Sequence, residues 1–237
     1  MNPLNPESRI AVRRRADLPR TNLGWLELTD HFVATVGAAS GSGTPLGDLL
    51  VLADATLAAG SGFQLHSHRS MEVVTIVLSG AIVHREPGHE LPVPAGWAQW
   101  MSAGDGITHA ETNPGAVPAR LLQIWLRPKV AGGAPAHHVT RLPELDSHFG
   151  RLSAAASNTD ATLSMAQLAP EETTELAVAA GRTAYLFLAG AAASVAGEEL
   201  HDGDGAVVQS GRVEVRARAA STLVVIDVAE REIPFSA

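Results

Sequence analysis

The sequence predicts an all-β protein made of two similar halves. Short runs rich in β-branched residues recur along its 237 residues, and Gly, Pro, Asn or Ser bounds nearly all of them. Many short strands with regular turn signals are typical of a sandwich or closed barrel. Helical pattern is scarce, and most of the Ala-rich segment 153–165 is predicted to be loop or the entry to a strand. A long internal repeat, described next, indicates duplication.

The predicted strands fall in both halves, at residues 48–52, 72–78, 81–85, 121–126, 183–188, 206–208, 212–215 and 222–227. Residues 75–80 (TIVLSG) resemble residues 185–190 (YLFLAG) at an offset of 110, and residues 91–96 resemble 200–205 at an offset of 109. A repeat of that length indicates a duplicated domain and not a solenoid. Segment 128–143, with three prolines and two glycines, separates the halves. The predicted domains are therefore 1–130, which carries the candidate site, and 131–237.

Composition excludes several classes of protein. A formal net charge of −8 argues against sequence-independent nucleic-acid binding. The basic N-terminal residues are expected to pair with acidic neighbours; they are Arg9, Arg13, Arg14, Arg15 and Arg20. The absence of cysteine excludes disulfides and thiolate metal sites. No apolar stretch approaches about 18 residues, so no membrane span is expected and a cytoplasmic protein is predicted.

Two pairs of potential metal ligands are the most informative feature of the chain. His66 and His68 form one pair, and His109 and Glu111 form the other. Residues i and i+2 of a strand point from the same face, and neighbouring strands lie about 4.8 Å apart. Two such strands could therefore direct three imidazoles and one carboxylate at a single metal ion.

The repeat indicates that only the first half can hold this ion. At the offsets given above, Leu176 and Val178 stand where His66 and His68 stand, and Arg218 stands at the position of His109. None of these three side chains is a metal ligand of the same kind. A single mononuclear site is therefore predicted for the whole chain.

The spacing of these residues resembles the two motifs of the cupin superfamily. The first motif is met by Gly60, His66, His68, Glu72 and Gly80, and the second by Gly104, His109 and Asn113. The glycine after Glu72 falls one position later than the commonest spacing, and Ser102 replaces a frequent proline. More closely, residues 66–80 (HSHRSMEVVTIVLSG) and 99–111 (QWMSAGDGITHAE) resemble the pirin family. The resemblance is dense over residues 60–128 and faint over the first 45.

The resemblance to pirins implies two tandem cupin barrels (double-stranded β-helix, or jelly-roll) that face each other. It also implies a metal site held by His66, His68, His109 and Glu111. Glu72 is a second candidate carboxylate, because its parity along the chain matches that of the two first-motif histidines, and it is left open as a ligand, a supporting residue or a group near the open face.

A site of three imidazoles and one carboxylate suits one divalent ion such as Fe(II), Ni, Co, Mn or Zn, and the family resemblance suggests Fe(II). The resemblance further implies quercetin 2,3-dioxygenase activity, in which O2 opens the heterocyclic ring of a flavonol and CO is released. Glu111 would then take the proton of the flavonol 3-hydroxyl, with Glu72 in reserve. Residues expected to contact the substrate are Phe63, Gln99 and Met101, although a buried amide and a core thioether are open alternatives for the last two.

Three other histidines and a different class of function complete the predictions. His84 is expected at the surface or in support of a ligand, and His137 and His138 are expected to bridge the two domains.

The alternative to an enzyme is a metal-dependent regulatory protein that binds a transcription factor or a partner enzyme, as eukaryotic pirins are described to do. The expected oligomeric state is a monomer.

Overall fold

The computed structural model describes residues 10–33, 44–152 and 157–230. Regular structure in these ranges consists of β-strands and one short 3-10 turn, Arg15–Asp17, so the predicted all-β class is confirmed. Every predicted run overlaps an observed strand, and the runs 206–208 and 212–215 belong to one continuous strand. Within the described ranges, no helix has the length and apolar character needed to cross a membrane.

The first half forms two antiparallel sheets. Its strands are β2 (Arg20–Asn22), β3 (Leu26–Val33), β4 (Leu49–Leu57), β5 (Gly62–His68), β6 (Glu72–Ser79), β7 (Ala81–Glu86), β8 (His89–Pro94), β9 (Trp97–Ser102), β10 (Ile107–Thr112), β11 (Ala119–Leu126) and β12 (Ala136–Arg141). The larger sheet has the order β12-β9-β6-β11-β4-β3-β2, and the smaller has the order β5-β10-β7-β8. The candidate ligands lie on the smaller sheet.

The second half is organised around one large antiparallel sheet. Its strands are β13 (Gly150–Leu152), β14 (Thr162–Leu168), β15 (Thr173–Gly190), β16 (Ala192–Val195), β17 (Glu198–His201), β18 (Gly205–Ala217) and β19 (Ser221–Ala229). They follow the order β13-β14-β19-β15-β18-β16-β17. The N-terminal strand β1 (Ile10–Arg13) joins this sheet by pairing with β18.

The two halves share an apolar core, because one face of strands β6 and β11 packs against the second half. Val74 and Ile124 of the first half belong to the same buried cluster as Phe187 and Ile226 of the second. Burial of side chains from both sheets in one cluster fixes the barrels face to face. The opposite face of β6 and β11 is turned into the first barrel, where the candidate site lies.

Two strands cross the predicted domain boundary. β12 follows residue 130 but pairs with β9 of the first half, whereas β1 pairs with β18 of the second half. The predicted division at residue 130 therefore does not follow the sheets at these strands. His137 and His138 lie on β12, so they extend the first half and do not form a bridge between the halves.

Two of the arginines near β1 are held by acidic side chains of both halves. Arg14 lies 3.2 Å from Asp204, and Arg15 lies 3.7 Å from both Asp54 and Asp202. Arg9 is outside the described residues. The predicted pairing with acidic neighbours is therefore confirmed for Arg14 and Arg15, whereas Arg13 lies 4.6 Å over the ring of Phe32 and Arg20 donates to the carbonyl oxygen of Arg15.

Candidate metal centre

Three histidines converge on one point of the first barrel. His66 on β5 lies directly opposite His109 on β10, and their ring centroids are 4.4 Å apart. The ring of His68 is 4.9 Å from that of His66 and 5.2 Å from that of His109. One nitrogen of each ring lies within 4.8 Å of the others. The paired strands therefore place three imidazoles as the two motifs predict.

Close approach of β5 to β10 depends on a glycine. The register of the pair shifts between His109 and Glu111, which is a β-bulge. A Cβ atom built on Gly62 would meet the Glu111 carbonyl oxygen at 2.3 Å, and the φ of Gly62 is +152°. Only glycine fits that conformation without strain. Gly62 thus allows β5 to lie against β10 beside the bulge.

Hydrogen bonds determine which imidazole nitrogens are available. His66 donates from Nδ1 to the carbonyl oxygen of Gln64 at 2.8 Å. The lone pair of the neutral ring is then on Nε2, where it can bind a metal ion. Nε2 of His109 is buried and has no hydrogen-bond partner among the described residues. A buried polar atom without a partner costs free energy, and a metal ion at the focus of the three rings would satisfy it. The residues therefore fit a metal ion.

The surroundings keep His68 and His109 neutral. Burial, and secondly the neighbouring His66, lower the pKa of His68 to about 4. Burial lowers the pKa of His109 to about 2, with further contributions from His66 and His84. A neutral imidazole is the form that binds a metal, so the metal-binding form predominates at neutral pH.

Glu111 is buried beside the histidines and held by three side chains. Thr75 donates a 2.8 Å hydrogen bond to its Oε1, Gln99 donates to the same oxygen, and Gln123 donates to Oε2. Burial raises the pKa of Glu111 to about 7, although the hydrogen bonds from Thr75 and Gln123 act in the opposite direction. The three donors lie side by side on neighbouring strands of the larger sheet.

The position of Glu111 relative to the histidines differs from a simple four-ligand cluster. Its carboxylate and the ligand atoms of His84 and His109 lie within 4.8 Å of one another. The cluster of His66, His68 and His109 does not include Glu111 at that distance. Its oxygens are taken up by the amides and the hydroxyl described above. Its role as the fourth ligand stays a prediction.

Glu72 lies on the other side of the sheet, and its predicted proximity to the ligands is wrong. Its carboxylate accepts hydrogen bonds from Trp100 Nε1 at 2.7 Å, Ser102 Oγ at 2.5 Å and the backbone amide of Asn158 at 3.3 Å. Trp100 belongs to the apolar cluster between the barrels. Glu72 does not share a face with His66 and His68 because β5 and β6 belong to different sheets. The turn that joins these strands contains Ser70 at φ +48°. A reserve catalytic role for Glu72 has no geometric support.

The three predicted substrate contacts occupy different environments. Phe63 is half-buried and lies edge-on to His66, with centroids 6.4 Å apart. Gln99 is buried and reaches the site through its hydrogen bond to Glu111. Met101 is buried in a core cluster with Val73 and Ile107. Only Phe63 therefore has partial exposure beside a candidate ligand, and Met101 is a core residue.

Several residues at the site escaped prediction because their contacts cross strands that are distant in sequence. Gln123 and Thr75 hold Glu111, and Trp125 lies 4.9 Å from His68 in an edge-on arrangement. For Gln123, the one sequence signal of a role at the site is that it is a polar residue among the apolar residues of the predicted strand 121–126. His84, expected at the surface or in support of a ligand, is fully buried next to His109.

The second barrel is filled with apolar side chains where the first holds its histidines. Leu176 and Val178 belong to the apolar cluster of that barrel, as their place in the repeat suggests. The predicted equivalence of Arg218 and His109 is wrong, because the cross-strand partner of Leu176 is Val213. Arg218 instead pairs with Glu199 at the surface. A single candidate centre in the first half is consistent with this packing.

Fold and site together define a two-barrel protein of the cupin type with a histidine-rich centre in one barrel. Comparison with known families gives a more specific result: the Pirin family model matches residues 12–126, and the model described as the quercetinase C-terminal cupin domain matches residues 145–228. A pirin-like protein of Caulobacter vibrioides is 35% identical over an alignment of 218 residues that covers 87% of this chain and 94% of that protein. The chain belongs to the pirin family.

Two further relatives have names that refer to chemistry. A Pseudomonas aeruginosa protein, named provisionally as a quercetin 2,3-dioxygenase, is 34% identical over 224 residues, covering 90% of this chain and 96% of its own. The crystal structure of the bacterial pirin YhhW from Escherichia coli in complex with nickel(II) has a TM-score of 0.84 at 26% identity, over 94% of this chain and 100% of that one. The predicted bicupin architecture is confirmed.

Proposed function

We propose that this protein is a metal-dependent dioxygenase that opens the heterocyclic ring of a flavonol such as quercetin with O2 and releases CO. The observation that carries the proposal is the convergence of His66, His68 and His109 beside the buried carboxylate of Glu111. The provisional name of the Pseudomonas relative supports the same chemistry.

The metal would be held by His66, His68 and His109, with Glu111 as the fourth ligand. Such an ion supplies Lewis-acid and template chemistry for oxygen atoms of the substrate. Fe(II) is proposed because nitrogen- and oxygen-rich sites without thiolate suit it. Nickel(II) is the ion named for the E. coli pirin, and it is a practical substitute for binding experiments.

Glu111 is proposed to take the proton of the flavonol 3-hydroxyl. A buried carboxylate beside the imidazole of His109 is a suitable group for general-base catalysis. Gln99 and Gln123 donate to opposite oxygens of the carboxylate and fix its plane. These contacts hold the carboxylate in one orientation before a substrate arrives, which lowers the entropic cost of the proton transfer.

The substrate would enter along β5. His66 and His68 are half-buried, whereas His109 and Glu111 are fully enclosed, so the centre opens towards β5. Phe63 flanks the first of these half-buried rings and Trp125 the second. Two aromatic side chains beside the opening favour a flat aromatic substrate.

Turnover of quercetin by Fe(II)-loaded protein tests the proposal. We expect loss of flavonol absorbance together with trapped CO, and a loss of both in His66→Ala. The exposed residue His89 provides the control His89→Ala, which should retain activity. Absence of turnover in the wild type, or undiminished turnover in His66→Ala, would contradict the proposed reaction.

A further inference from the structure

A chain of hydrogen-bonding groups runs from His109 away from the focus of the three histidines. Nδ1 of His109 lies 3.3 Å from Nδ1 of His84, and Nε2 of His84 lies 2.9 Å from Oε1 of Glu86. His84 is fully buried, and Glu86 has a quarter of its side chain exposed. The chain thus connects a candidate ligand with a carboxylate near the surface.

The acceptor at the end of this chain determines where the protons lie. A carboxylate oxygen of Glu86 can only accept, so Nε2 of His84 carries a hydrogen. A neutral His84 then has a bare Nδ1, which accepts the hydrogen on Nδ1 of His109. The remaining nitrogen of His109, Nε2, is left with a lone pair, and this is the buried atom without a hydrogen-bond partner.

We infer that His84 and Glu86 are positioning residues that fix the tautomer and ring orientation of His109 so that Nε2 binds the metal ion. The inference rests on the metal-binding part of the proposed function. Metal-bound histidines commonly donate their second N–H to an acceptor, and loss of such an acceptor typically weakens metal binding 10- to 100-fold. Here the acceptor is a second imidazole backed by a carboxylate.

His137 on β12 holds the pair in place. Its ring stacks on that of His84, with centroids 3.9 Å apart and planes 27° apart, and its Nδ1 lies 3.5 Å from Oε1 of Glu86. The ligand atoms of these three residues also lie within 4.8 Å of one another. Stacked rings do not aim their in-plane lone pairs at one point, however, and Nε2 of His84 already faces Glu86. The geometry therefore favours support of His109 over a second ion.

Zinc(II) is a suitable probe because it is diamagnetic and prefers imidazole ligands. In Zn(II)-loaded protein without a histidine tag, long-range 15N–1H spectra should show His109 protonated at Nδ1 and His84 at Nε2. Chelator competition should give 10- to 100-fold weaker binding for His84→Leu and a smaller loss for Glu86→Gln. His84→Gln, whose amide can accept and donate, should recover part of the affinity.

The matched control is His89→Gln, since His89 is exposed and lies opposite Glu86 on the β7–β8 hairpin. Its affinity should equal that of the wild type. Unchanged affinity in His84→Leu, a proton on Nε2 of His109, or two zinc ions per chain with one lost in Glu86→Gln would each overturn the inference. If binding weakens as expected but quercetin is not consumed, the inference stands and the dioxygenase proposal alone fails.

Discussion

His66 faces His109 across the pair of strands β5 and β10, with ring centroids 4.4 Å apart. The corresponding cross-strand pair of the second barrel is Leu176 and Val213, and both side chains lie in an apolar core. Equivalent positions in the two strand ladders therefore hold side chains with different roles in the two barrels. Imidazoles there converge around a common focus, whereas aliphatic side chains fill the barrel and contribute hydrophobic stabilisation.

A pair of alanine substitutions separates these two roles. His66→Ala should abolish the increase in stability produced by a divalent ion, which is about 2.7 kcal/mol when the ion is at 100 times its Kd. Leu176→Ala should preserve that increase but lower the free energy of unfolding by about 2–5 kcal/mol, because it leaves a cavity. Urea unfolding with and without Ni(II) measures both. An ion effect retained in His66→Ala would contradict the ligand assignment.

The sequence could predict the strands and the three histidines because both depend on local patterns. Alternation and turn residues define strands such as β6, and the spacing of His66 and His68 fixes a common face. The repeat offset misplaced Arg218 because the second half is shorter between equivalent residues: 43 positions separate His66 from His109, and 37 separate Leu176 from Val213.

Long-range contacts set the remaining features, so local pattern could not reveal them. The alternation of side chains that places His66 and His68 on one face does not continue to Glu72, because a turn between two sheets intervenes. The carboxylate of Glu72 therefore faces Trp100. The support of Glu111 by Gln123 and the stacking of His137 on His84 both depend on which strands become neighbours. Pairing of this kind is a property of the folded chain.

Glu111 should make metal-free protein less stable as the pH rises. Burial raises its pKa to about 7 from a usual value of 4.5. Between these values the native state binds a proton that the unfolded state has lost, so the free energy of unfolding falls with increasing pH. The contribution is about 3 kcal/mol, and Glu111→Gln should remove it.

Urea unfolding of metal-free wild type and Glu111→Gln at several pH values between 4 and 8 tests this dependence. The exposed Glu90 provides the matched control Glu90→Gln, which should follow the wild type. Parallel curves for wild type and Glu111→Gln would mean that Glu111 is already ionised in the native state at low pH.

The ion pair of Asp54 and Arg120 should be costly to break. The carboxylate of Asp54 is buried and accepts two 2.8 Å hydrogen bonds from Arg120, which also binds Asp202 of the second half at 2.9 Å. Asp54→Asn leaves Arg120 paired with Asp202 alone and removes two charge-assisted hydrogen bonds, so it should cost about 1.5–3 kcal/mol in urea unfolding. Glu171 pairs with Arg216 at the surface, and Glu171→Gln should cost less than about 1 kcal/mol. Equal costs would show that burial does not strengthen the first pair.

His31 lies at the junction of the two halves, and its burial there should make the protein less stable in mild acid. Its Nδ1 lies 2.6 Å from the hydroxyl of Tyr185, and its ring is edge-on to Phe187, 5.2 Å away. Burial lowers the pKa of His31 to about 4, and the nearby Asp54 only partly opposes that effect. Between pH 6.5 and 4 the unfolded state binds a proton that the native state excludes, so stability is present above pH 6.5 and falls as the pH decreases.

The expected loss over that interval is about 3 kcal/mol, because burial lowers the pKa from 6.5 to about 4. His31→Gln keeps a polar side chain near Tyr185 but cannot take up the proton, so its stability should fall less over the same pH interval. The other buried histidines are present in both proteins, and their contributions cancel in the difference between the two curves. The measurement is therefore the difference in the free energy of unfolding between wild type and His31→Gln, followed from pH 7 to pH 4. A difference that does not change with pH would mean that His31 is protonated within the folded junction and that burial does not control it.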